Sequence, residues 1–119
     1  MLSDNLILVL GHKGHSSLSD DLFEMGFTPF VRDNIESAIY NLRHEKFILV
    51  IYERNNLEVD PLEFIFNVRD VNENIPVLIL GESPDSKEDD LIVQQNNVHV
   101  IRDYYKEFRN SLHDILPTS

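Results

Sequence analysis

A chain of 119 residues has room for one ordinary hydrophobic core and not for two. Its 21 acidic against 10 basic side chains, a formal charge of −11, repel phosphate backbones and leave no basic groove for nucleic acid. The chain has no cysteine, no apolar run near the roughly 20 residues that span a bilayer, and no basic N-terminal stretch ahead of an apolar core; disulfides, membrane spans and a secretory signal are not expected of this sequence, and a cytoplasmic protein is.

Taken in order, Leu6 to Leu10 (LILVL) is a continuous apolar run closed by Gly11 and reads as a first buried strand. The loop GHKGHSS follows, and Ser16 or Ser17 caps a helix to about Met25, with Leu18, Leu22, Phe23 and Met25 on its apolar face and Gly26 as its stop. Thr28 to Arg32 is a short second strand in which Pro29 indicates an edge position. Asp33 is expected to cap a second helix to about His44, with Ile35, Ile39 and Leu42 at helical spacing and Ala38 and Tyr40 beside them.

The middle of the chain is the most informative part. Phe47 to Tyr52 is an apolar, β-branched and aromatic run, too short for a helix, and it ends at Glu53. A charge placed there lies at the carboxyl edge of the sheet, where open α/β sheets collect their ligands. Asp60, Pro61 and Glu63 then make an N-cap, a preset first helical residue and a reciprocal capping carboxylate for a helix to about Val71, with Leu62, Ile65, Phe66 and Val68 mostly inward. Pro76 to Leu80 is a fourth strand ending at Gly81, and Ser86 is expected to cap a fourth helix whose apolar content is thin. Val98 to Ile101 is a short fifth strand. Asp103 caps a last helix through Leu116, with Tyr105, Phe108, Leu112 and Ile115 at core spacing and Pro117 closing it.

Five strands alternating with five helices predict an α/β, flavodoxin-like, doubly wound parallel sheet of order 2-1-3-4-5 with helices on both faces, in one domain over residues 1–119. That order brings the ends of the first and third strands together, so Gly11 and Glu53 are expected to be neighbours.

The stretch ILVIYERNNLEVDPLEF, with NIPVLIL after it, resembles the receiver domain of two-component response regulators, and the resemblance runs over nearly the whole chain. It puts Glu53 in the place of the phosphoacceptor aspartate, Leu57 where proline is usual, and Asp60 and Glu63 in register, with Pro61 replacing glycine. The family's other functional positions have changed. The magnesium-binding acidic pair falls on Gly11 and His12, the hydroxyl residue ending the fourth strand on Gly81 with Ser83 shortly after, and the lysine after the fifth strand on Arg102, followed by Asp103. The aromatic switch position lands on His99 or Val100. The resemblance therefore implies a degenerate site of Glu53, Gly11, His12, Gly81 and Arg102, with an ion pair between Glu53 and Arg102 and with neither metal nor other cofactor. A hard dication needs oxygen donors that these positions do not supply. What it implies is a pseudo-receiver, a non-enzymatic signalling domain that binds a protein partner, or itself, through the face of the fourth helix, fifth strand and fifth helix.

Other chemistry has weaker footing. GHKGHSS lacks the frame of a phosphate-binding P-loop, His12 and His15 have no third metal ligand nearby in sequence, and Ser16 and Ser17 come late for a flavin loop. No G-x-S-x-G elbow is present, ESPDSKEDD reads as a charged loop running into an acidic helix start, and His44, His99 and His113 are scattered. Tyr104 and Tyr105 are candidates for an exposed docking surface. From a different class, NENIPVLILGE also looks like the flavodoxin-like wing domain of pyridoxal-phosphate-dependent amino-acid decarboxylases, an assembly module without catalytic residues.

Overall fold

A computed structural model describes residues 5–11, 17–54, 59–82 and 86–116, with the side chains of residues 86, 104 and 105 left aside. Five parallel strands, β1 (Leu6–Leu10), β2 (Thr28–Arg32), β3 (Leu49–Glu53), β4 (Val77–Leu80) and β5 (Val98–Ile101), form one sheet in the order β2-β1-β3-β4-β5. Helices α1 (Ser17–Glu24), α2 (Ile35–His44), α3 (Pro61–Val71), α4 (Ser86–Val93) and α5 (Tyr104–Ile115) alternate with them. This is the doubly wound architecture expected from the alternation of apolar runs and capped amphipathic segments.

Strand periodicity divides the core in two. Leu8, Leu10, Val50, Tyr52, Val77 and Ile79 face one side and pack with Ala38 and Leu42 of α2, Phe64, Ile65 and Val68 of α3 and Ile92 of α4. Ile7, Val9, Leu49, Ile51, Leu78 and Leu80 face the other and pack with Leu18 and Leu22 of α1 and Phe108 and Leu112 of α5. A strand covered on both faces has no polar alternation to show, hence its unbroken apolar sequence.

Several local expectations shift. Asn34, not Asp33, caps α2: its side-chain oxygen accepts from Ser37 N at 2.8 Å, while Asp33 accepts from Asn34 Nδ2 at 3.0 Å. The third strand starts at Leu49, and Phe47 packs ahead of it, edge-on to Phe30 at 5.5 Å. On α3 the aromatic order is reversed, since Phe64 is fully buried and Phe66 is 54% exposed. Phe23 and Tyr40 likewise point outward. Helix α4 starts at Ser86 itself and stops at Val93, and Leu116 caps α5 from outside it. Tyr105 belongs to the side chains left aside, and Pro117 lies outside the described residues.

Other expectations are met in detail. Asp60 accepts from Leu62 N at 3.0 Å with Pro61 first in α3, and Asp103 accepts from Lys106 N at 3.2 Å. Gly26, at φ +94°, ends α1 with Phe27 N–H on the Leu22 carbonyl at 2.9 Å. β2 is an edge strand, and the Arg32 guanidinium folds back on it, donating through Nη1 to the Val31 carbonyl at 2.8 Å.

Candidate functional site

The carboxyl edge of the sheet is set by register. Leu10 lies opposite Tyr52, Glu53 opposite Leu80, and Leu80 opposite Ile101, so Gly11, Glu53, Arg54, Gly81 and Arg102 gather along one edge. Backbone bonds extend the ladder: Arg54 N donates to the Leu80 carbonyl and Gly81 N to the Ile101 carbonyl, each at 2.9 Å. His12, His15, Leu57 and Ser83 lie outside the described residues.

Gly11 and Glu53 meet as the strand order requires. A β-carbon on Gly11 would stand 3.3 Å from both Cβ and Cδ of Glu53 and would collide with its Oε1. Glu53 is thus folded over the first strand end, and its carboxylate takes up the space that a side chain at residue 11 would need. Gly81 has a different reason to be glycine: its φ is +111°, and a β-carbon there would press on Cβ of Arg54 at 3.2 Å.

Arg102 does not serve Glu53 as expected. Its Nε and Nη2 donate to Asp89 Oδ2 at 3.0 and 2.8 Å, on helix α4. Arg54 takes the other oxygen, Nη2 to Asp89 Oδ1 at 2.5 Å, while the same nitrogen reaches Glu88 Oε1 at 3.2 Å and Nη1 donates to the Gly81 carbonyl at 3.1 Å. The Arg54 and Asp89 side chains are 6% and 3% exposed, whereas Arg102 is 59% exposed. Burial alone would push the Asp89 carboxyl up; the hydrogen bonds and charges of Arg54 and Arg102 outweigh it and hold the group below the ordinary carboxylate range.

Arg54 and Asp89 were not singled out by the sequence, although a signal existed. Asp89 is three residues from Ile92, the buried apolar anchor of α4, and so shares its inward stripe. An acid on that stripe must find a cation, and Arg54 directly follows the strand acid.

Among the described residues, this edge does not fit magnesium. Of the residues gathered there Glu53 alone brings a carboxylate, its oxygen covers Gly11 where a first acidic ligand would start, and the two nearby cations already hold Asp89. Among the described residues no group of three or more His, Asp or Glu is placed to hold a metal ion.

No protein-family model matches this chain, and no curated protein sequence does. Solved structures of the same architecture do. The response regulator TrrA from Thermotoga maritima, in complex with magnesium and beryllium fluoride, is similar at a TM-score of 0.77 and 19% identity, over 94% of this chain and 99% of its own. A second TrrA structure, in complex with the histidine kinase ThkA, gives 0.74 and 17%, over 95% and 99%. The chemotaxis protein CheY4 of Vibrio cholerae gives 0.76 and 15%, over 95% and 98%, and the pseudo-receiver domain of CikA 0.67 and 17%, over 98% and 99%. The fold is that of response regulator receiver and CheY-like domains.

Proposed function

We propose that this chain, carrying the receiver fold, is a pseudo-receiver: one signalling domain over residues 1–119, not an enzyme, that acts by protein contact without aspartyl phosphorylation. The observation that carries the reading is Glu53 lying over Gly11. A permanent carboxylate sits where a phosphoaspartate would form, and the position that would bring the first metal ligand has no side chain to offer. Gly81 brings no hydroxyl and Arg102 is engaged on α4.

The partner is a protein, as it is for TrrA with ThkA, or a second copy of this chain. It docks on the face of α4, β5 and α5, where Leu91 and Val93 are half exposed, and the module works in the cytoplasm. Incubation with acetyl phosphate and magnesium, followed by intact-mass measurement, tests the reading. The expected result is an unmodified chain. A stable phosphoryl adduct, or a tight magnesium site beside Glu53, overturns it.

A further inference from the structure

The Asp89 side chain is buried together with that of Arg54, and it is held by cations from two different strand ends. Arg54 follows β3 and Arg102 follows β5, so a single carboxylate on α4 closes the gap between them. With Glu88 also on Arg54, two anions face two cations and the cluster is neutral within itself. A buried carboxylate is stable only when so paired, which makes the position of α4 and the pairing of the arginines mutually dependent.

We propose that Asp89 is a built-in counter-anion: it occupies the two guanidiniums that an incoming anion would otherwise bridge, and it thereby fixes α4 in one position against the carboxyl edge of the sheet. The outer face of α4 is presented continuously, with no modification needed to place it. The clamp stands on its own geometry; only its use for docking rests on the pseudo-receiver reading, which the phosphodonor experiment tests separately.

Hydrogen–deuterium exchange of the full chain, with the sheet amides as internal reference, decides. In Asp89→Ala, and in Arg102→Met, which removes a largely exposed side chain, the amides of residues 90–93 are expected to exchange on the order of tenfold faster while the sheet is unchanged. Acetate, a free carboxylate, is expected to slow that exchange again in Asp89→Ala and to leave the wild type unaffected. Wild-type exchange of α4 in either variant, or an equal response to acetate in wild type and Asp89→Ala, overturns the proposal. If Asp89→Ala does not fold, Arg102→Met decides alone: loosening confined to α4 supports the clamp, and an unchanged helix removes it.

Discussion

Gly11 is required by the space above it and not by its backbone angles, since it is absent from the positive-φ residues. The consequence is a specific coupling. Gly11→Ala is expected to turn the flexible Glu53 carboxylate aside and to lower stability by about 1 kcal/mol, the low end of the cost of forcing a methyl group into filled space. In a Glu53→Ala background the same change is expected to cost almost nothing, because the obstructing carboxylate has gone. Urea unfolding of the four members of this cycle measures the coupling, and additive costs would mean that Gly11 answers to some other neighbour.

Among the elements, the end of α3 is tied to its neighbours by Arg69. Arg69 Nη1 donates to the Ile75 carbonyl at 2.8 Å and the Asn72 carbonyl at 3.2 Å, and Nη2 donates to the Asn96 carbonyl at 2.6 Å. It thus ties α3, the lead-in to β4 and the turn before β5, where Asn97 takes φ +56°. Arg69→Met is expected to cost about 2 kcal/mol or more in denaturant unfolding, and lysine to recover only part of it, lacking the planar fork. Elements of this kind were readable in the sequence because apolar runs, caps and breakers act locally: β2, β5 and the caps Asp60 and Asp103 fall where composition puts them. Which of two neighbouring aromatics turns inward was not, because Phe64 and Phe66 are both hydrophobic and only the sheet beneath selects one. The same holds at the site. Adjacency of Gly11 and Glu53 follows from strand order, whereas the choice of Arg102 between Glu53 and Asp89 depends on where α4 settles, which no local pattern encodes.

For the whole molecule, two buried groups set opposite limits on pH stability. Asp89 is depressed in the folded state, so its contribution is present above the ordinary carboxylate value near 4 and is lost as pH falls toward and through its lower folded value. Tyr52, pushed up to about 12 by burial, with its hydroxyl donating to the Val59 carbonyl, contributes below pH 10, where the unfolded phenol ionises, and this is lost as pH rises toward 12. Thermal unfolding across pH is expected to show both limbs, with Tyr52→Phe flattening only the alkaline one. The outermost strand carries a consequence for how such domains meet. Gly11 N–H bonds the Arg32 carbonyl, so alternate residues of β2 turn their backbone groups away from the sheet, Pro29 and Val31 among them. Proline has no hydrogen to give there, and the Val31 oxygen is already covered by Arg32. That border is a poor template for another chain's backbone, so lateral growth into a continuous ribbon through β2 is blunted.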